Sequence, residues 1–335
     1  MPEWAQGDLR TALGDSGWIE AVRLDAAPAG TTATPARVHP GVIGVDVGGT
    51  KIRAVASGPG RPVMAERLIE TDPAGGIAVI RQISQLCDEL SASPLRAVAI
   101  ACPGALDART GRVHWAPNLP GWDDMDVVGE LGATLRAPVA IDNDVLASAK
   151  AECAISGVDD LAFLALGTGI GLGLILDGVA RTGSHGQAGE VCHLPLGGDP
   201  FDTELHHHGV LESRLAGPRI YAEYRAAGGV AGSLREAFDA PQDRAARDVL
   251  AATARLLALT VRSVTAVVDP SVVVLGGGIG SRPDVVAAVA SELSRLGGGP
   301  VTLRRSLLGS RAAAVGALLA ANELAEPGDP APRTP

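Results

Sequence analysis

Aromatic residues make up only 3% of this 335-residue chain, so any core must be aliphatic, drawn from the Ala, Val and Leu that dominate its 46% hydrophobic content. Cysteine is scarce too. Cys87, Cys102, Cys153 and Cys192 are scattered, and no pair has the Cys-x-x-Cys spacing of a zinc or redox site, so they read as reduced thiols of a cytoplasmic protein. Positive charge is in deficit: 38 acidic against 28 basic residues give a net charge of -10, a field that repels nucleic acid and anionic membranes. No stretch reaches the roughly 18 uncharged apolar residues of a spanning helix. Residues 1–40 also lack an apolar run behind basic residues, so neither export nor a membrane anchor is expected.

What is present is length enough for two lobes, at roughly 150 residues per domain. Residues 1–40 carry Trp4 and Trp18 and then a Pro/Ala/Thr/Gly-rich stretch, and read as an extension plus linker. A β-branched run at 42–47 predicts a strand, stopped by Gly48 and Gly49, with a hairpin partner at 52–57. Ile77, Ile80, Ile83, Leu86, Cys87 and Leu90 recur at threes and fours, which predicts an amphipathic helix. Strands are expected at 97–101 and 138–141, with a helix at 125–135 between them and loop and hairpin over 103–122. A second glycine-punctuated hairpin is expected at 161–166 and 172–176. Then come a long helix at 243–268 closed by Asp269-Pro270, a strand at 272–275, a helix at 284–296, a short strand at 301–304 and an Ala-rich helix at 311–324. Strands alternating with helices predict an α/β protein.

Three glycine clusters punctuate strand ends. In Asp46-Val47-Gly48-Gly49-Thr50-Lys51 a strand delivers a carboxylate at its end, two glycines admit an anion to the backbone amides, and Thr50 and Lys51 add a hydroxyl and a cation. It is not a Walker A loop, because Thr precedes Lys and a strand follows. The simpler alternative is a tight hairpin whose glycines supply positive φ. In Gly167-Thr168-Gly169-Ile170-Gly171-Leu172-Gly173, glycine at every second residue strips side chains from one face of a strand; the alternative is a bulged strand packed on a neighbour. Gly276-Gly277-Gly278-Ile279-Gly280 lies between a strand and a helix, where a nucleotide can meet amides, or where an ordinary connecting loop would sit.

Asp-x-Gly-Gly-Thr-Lys, Gly-Thr-Gly-x-Gly and Leu-Gly-Gly-Gly in this order resemble the actin-like ATPase fold of sugar kinases. Within it, roughly residues 41–325 resemble the ROK family of repressors and sugar kinases. The resemblance implies two ribonuclease-H-like lobes with ATP and sugar in the interlobe cleft. The lobes would comprise 41–141, completed by the C-terminal helix 308–325, and 142–307, with 326–335 a disordered tail. It implies ATP and Mg2+ as cofactors, phosphates on Asp46, Gly48, Gly49, Thr50, Lys51, Thr168, Gly169, Gly277 and Gly278, and Mg2+ held near Asp46 through water. A homodimer is common in the family.

Asp142-Asn143-Asp144 leaves a strand at the end where α/β clefts open, and sugar phosphorylation needs a carboxylate beside the attacking hydroxyl. Asp144 is the candidate general base, with Asn143 on the sugar by resemblance; the alternative is a helix N-cap. Asn118, in Ala116-Pro117-Asn118-Leu119-Pro120-Gly121-Trp122, matches the family's sugar-hydroxyl loop, and could instead be a turn residue. Glu190 and His193 resemble the family's Glu-x-Gly-His element with Cys192 in place of glycine, and Glu212 matches a further sugar-contacting glutamate. The family's three zinc cysteines are replaced by Thr203, Leu205 and Val210, so no structural zinc is expected despite His206, His207 and His208.

These residues predict a kinase that moves the γ-phosphoryl of ATP to the C6 hydroxyl of a hexose. By resemblance glucose is the default acceptor, with an amino sugar such as kanosamine or N-acetylmannosamine, or a cyclitol, also open. A sugar-responsive repressor is the rival. It would need a DNA-binding domain in residues 1–40, where Arg10, Arg23 and Arg37 face Glu3, Asp8, Asp15, Glu20 and Asp25, three against five for a net of -2. An inactive sugar-binding protein is the other alternative, opposed by the intact motifs.

Overall fold

The structure is a computed structural model, described over residues 41–58, 63, 65–91, 94–107, 112–114, 119–123 and 125–325. The extension 1–40, the tail 326–335 and Asn118 lie outside the described residues. Two compact units emerge. The first runs to Gly157 and takes in Gly178–Gly186 and the chain from Arg311 on; the second comprises Val158–Asp177 and Gln187–Ser310. The first unit therefore keeps the helix Asp144–Ser156, which the expected boundary at 141 would have placed in the second lobe.

The first sheet holds β1 (Val42–Val47), β2 (Lys51–Ser57), β3 (Ala65–Glu70), β4 (Ala97–Cys102) and, beyond the small hairpin of β5 (Ala105–Asp107) and β6 (Arg112–His114), β7 (Val139–Asn143). Its order is β3-β2-β1-β4-β7, antiparallel among β1, β2 and β3 and parallel from β1 through β4 to β7. Strand β3 carries no clean alternation: it is half polar, and Leu68 is exposed, as suits an edge.

Side chains alternate across β1. Ile43, Val45 and Val47 enter a core with Ile80, Ile83, Leu86 and Leu90 of α1 (Gly76–Leu90) and Leu131 of α2 (Val127–Leu135). Val42 faces the other way, toward Ala147 of α3 (Asp144–Ser156) and the alanine-rich C-terminal helix Ala312–Ala325. On α1 the buried residue of the first turn is Val79, and Ile77, expected on the apolar face, is exposed.

The second unit repeats the pattern with β8 (Leu161–Leu166), β9 (Ile170–Leu176), β11 (Val272–Gly276) and β12 (Leu303–Arg305); the two-residue strand β10 (Val179–Ala180) falls in the segment counted with the first unit. Its four strands run β9-β8-β11-β12, again an antiparallel hairpin followed by parallel neighbours. Three helices precede β11: α4 (Gly217–Ala226), α5 (Leu234–Phe238) and α6 (Arg244–Val268). The short turn α7 (Gly277–Gly280) and α8 (Pro283–Leu296) follow it, and α9 (Ala312–Ala325) returns to the first unit. By length and composition α6 could cross a membrane, but its Leu257, Ala258, Val261 and Val264 are buried against β8, β11 and α8 in one aliphatic core. Strand β3 and helices α4 and α5 were not expected from the sequence. They are short elements without a sustained apolar period.

Candidate functional site

In the first unit, Gly48 and Gly49 form the tip of the β1–β2 hairpin, and the Gly48 N–H donates to Lys51 O at 2.9 Å. Neither glycine has positive φ, so they are not the conformational hinges of a primed turn; they leave the tip open instead. Gly49, Thr50 and Lys51 are exposed. Thr71, which sequence reasoning passed over, straps the tip: its Oγ1 donates to Gly48 O at 2.6 Å and its N–H to Thr50 O at 3.0 Å.

Asp46 lies on the same β1 face as Val42, two alternations on, and so on the side of α3. Burial and the Asp144 carboxylate push its carboxyl up to about 7, against a lowering by Arg53, its cross-strand partner. Counting back across the Gly48–Lys51 turn pairs 47 with 52 and 46 with 53, a signal that could have found Arg53. Arg53 in turn contacts Glu66, which also binds Arg311 at 2.7 Å.

Strand β7 runs to Asn143, two residues beyond expectation, and Asp144 is the first residue of α3. Asn143 is the N-cap: its Oδ1 accepts from Val145 and Leu146 at 3.0 Å each, and its Nδ2 donates to Gly104 O at 3.1 Å. Asp144 Oδ1 accepts from Val145 N at 2.8 Å. Asp142 turns away into a buried ion pair with Lys150, and its other oxygen accepts the Asn143 N–H at 2.9 Å. At the carboxyl ends of the parallel strands, burial and then the Asp144, Asp142 and Asp46 carboxylates hold the Cys102 thiol well above its ordinary range.

In the second unit the other two glycine clusters meet. A Cβ at Gly167 would stand 3.7 Å from Gly278 N, and Gly167 O accepts the N–H of Gly217 at the start of α4 at 2.9 Å. Gly277 has φ +77° with its Cα against Leu166 O, and Gly276 lies against the Phe163 ring, so both are bound by packing; Thr168 and Gly278 are exposed. Glu190, Cys192 and His193 share the short turn over Val191–His193. Gly189, at φ +98°, packs its Cα on Leu172 O, and Leu211 N donates to Cys192 O at 2.9 Å. Burial and then Glu190 and Glu212 push the Cys192 thiol up to about 12, and the thiol contacts Glu190 Oε2 at 3.7 Å. Glu190, Cys192 and Glu212 therefore cluster, with His193 exposed beside them.

At two of the positions where the resemblance implied metal-binding cysteines, Leu205 and Val210 close on Gly198, and Val210 is buried. His206 Nε2 lies 3.0 Å from Pro200 O, and His207 and His208 meet edge to face at 4.7 Å. Among the described residues no group of three or more His, Cys, Asp or Glu is placed to hold a metal ion.

A family model described as the ROK family matches residues 42–323. A kanosamine kinase from Amycolatopsis mediterranei is 31% identical over 300 residues, 84% of this chain and 96% of that protein. Among solved structures, the ROK hexokinase from Thermus thermophilus is 30% identical with a TM-score of 0.69, covering 83% of this chain and 97% of its own. A ROK family glucokinase from Streptomyces griseus in complex with glucose and AMPPNP is 25% identical with a TM-score of 0.74, covering 84% and 99%. A ROK family transcriptional regulator is similar at 21% identity and a TM-score of 0.67, over 85% of this chain and 79% of that one, a likeness of fold alone.

Proposed function

The chain belongs to the ROK family and is an ATP-dependent carbohydrate kinase, and from that premise we propose that it moves the γ-phosphoryl of ATP to the C6 hydroxyl of a hexose, with glucose the first acceptor to test. The observation that carries this reading is that Asp46 and Asp144 lie near enough at the carboxyl ends of β1 and β7 for one carboxylate to act on the other, with the open Gly48-Gly49 tip following Asp46 on β1. Asp144, at the first turn of α3, takes the proton of the attacking hydroxyl. Asn143 spends its Oδ1 on the helix and one amide proton on Gly104, which leaves its second amide proton for a sugar hydroxyl. Glu190, His193 and Glu212, with Asn118, supply the remaining sugar contacts.

The groups for phosphate are, in the first unit, the Gly49 amide with Thr50 and Lys51 at the tip that Gly48 keeps open, its own N–H being held by Lys51 O, and, in the second, the amides of Thr168 and Gly169 with Gly277 and Gly278. Transfer through a loose transition state draws mainly on such positioning and charge. The Asp46 site fits Mg2+: a hard carboxylate under strain from Asp144 favours a divalent cation that keeps most of its own water. When bound, Mg2+ would neutralise phosphate charge. We also propose that the enzyme works in the cytoplasm as a homodimer.

An ADP-release assay across glucose, mannose, fructose, kanosamine, N-acetylmannosamine and cyclitols tests the acceptor. Asp144→Asn should fold normally and lose at least about a hundredfold in kcat, the low end of general-base contributions. Near-normal turnover by that variant would remove Asp144 as base. An amino sugar is the second reading, favoured by the two carboxylates Glu190 and Glu212 around Cys192, which would attract an ammonium group.

A further inference from the structure

Glu212 is tied to the backbone of the second glycine turn. Its Oε2 accepts the Ile170 N–H at 3.1 Å, and the Gly169 Cα lies so close that a Cβ there would come within 2.6 Å of the same oxygen. The backbone of the turn is also held by the pairing of Leu166 with Ile170 and by two bonds at Gly167. The Gly167 N–H donates to Gly169 O at 2.9 Å, and Gly167 O accepts from Gly217. A run of alternating glycines has side chains on one face only, so a charge-assisted bond to its first strand residue is a strong constraint on its shape. Glu212 also acts, with Glu190, on the Cys192 thiol, the group assigned above to the acceptor.

We infer that Glu212 is a positioning residue for the nucleotide loop as well as a sugar ligand, one carboxylate holding the Gly169-Ile170 turn in the shape that meets phosphate while it also accepts from the sugar. This rests on the kinase reading and adds a coupling to it. A sugar hydroxyl and the Ile170 N–H share one acceptor group, so the occupancy of one site alters the geometry of the other. By linkage, sugar and nucleotide must change each other's affinity by the same factor.

The test uses the full chain with Mg2+ and AMPPNP, titrated by calorimetry without sugar and again with saturating glucose, alongside KM and kcat for ATP and glucose. Glu212→Ala removes the acceptor for Ile170 and should weaken AMPPNP binding without sugar by about tenfold, in line with the loss of a hydrogen bond to a charged group. Glu212→Gln keeps a neutral acceptor oxygen and should recover most of that nucleotide affinity while the glucose KM stays raised. Gly169→Ala pushes the carboxylate off the turn without removing it, and should lower AMPPNP affinity in the same direction. If Glu212→Gln and Glu212→Ala both bind AMPPNP as the unaltered protein does, and only the glucose KM moves, Glu212 is a sugar ligand alone and the inference fails. An unaltered protein that binds no AMPPNP overturns the kinase reading itself, and the inference with it.

Discussion

Asp46 is the residue whose burial works most clearly against stability. Its carboxyl rises from an ordinary 3.8 to about 7, chiefly through burial and then through Asp144, with Arg53 opposing. Because the folded state holds this proton where the unfolded chain has released it, folding binds more protons between those two values. The Asp46 contribution to stability is therefore greatest below about pH 4 and is lost as pH rises toward 7. Asp46→Asn should remove that slope and raise the melting temperature at pH 8 while leaving it little changed at pH 4. At this size roughly 1 kcal/mol corresponds to about 2–4 °C. Thermal melts at the two pH values check it, and an unchanged midpoint at pH 8 would show that the charge is already relieved. The same variant should lose kinase activity, since the group that strains the fold is the one assigned to the cation. The motif around Asp46 was legible in the sequence because it is local; its pairing with Asp144, almost a hundred residues on, was not.

At the scale of elements, close backbone approach decides the packing of α9. A Cβ on Gly44 of β1 would fall 2.2 Å from Leu318 N and 2.4 Å from Ala314 O, and one on Gly316 would fall 1.9 Å from Ala147 O of α3. Backbone atoms cannot step aside as a flexible side chain can. Gly44→Ala should therefore destabilise by at least the roughly 1–3 kcal/mol typical of overpacking, read as a lower urea midpoint, whereas a tolerant fold would show no shift. The hairpins and α1, α6 and α8 were readable because periods of two and 3.6 survive in their sequences. Strand β3 was not, since an edge strand needs no buried stripe. The end of β7 slipped because Asp142 and Asn143 look like turn residues, yet Asp142 is held in the strand by Lys150. Lys150→Met should break that buried pair at a cost of about 3–5 kcal/mol, and replacing Asp142 by Leu in the same chain should recover much of the loss in a denaturant titration.

At the scale of the whole molecule, each unit begins with an antiparallel hairpin and continues into parallel strands, and each places glycine at the turn where that hairpin ends. The net charge of -10 gives no electrostatic footprint for DNA. A gel shift with operator-like duplexes should stay empty even at low salt, and a salt-dependent shift would revive the repressor reading. The loop over Gly189–Glu212 is held by Leu205 and Val210 on Gly198 and by Gly209 on Cys192 O. Chelation with EDTA followed by Mg2+ replacement should thus leave the melting temperature and activity unchanged. A permanent loss would show that a tightly held metal had been removed.

The sequence by itself determined the family, the two hairpin turns and the carboxylates at strand ends, because each is written in a few consecutive residues whose chemistry follows from local geometry. Tertiary structure alone decided which of those groups act on one another. The convergence of Asp46 with Asp144, the withdrawal of Asp142 to Lys150 and the attachment of Glu212 to Ile170 each join atoms in different elements. Only strand register, helix docking and the burial that follows set their distances, and with them which carboxylate keeps its proton, which is neutralised and which braces a loop.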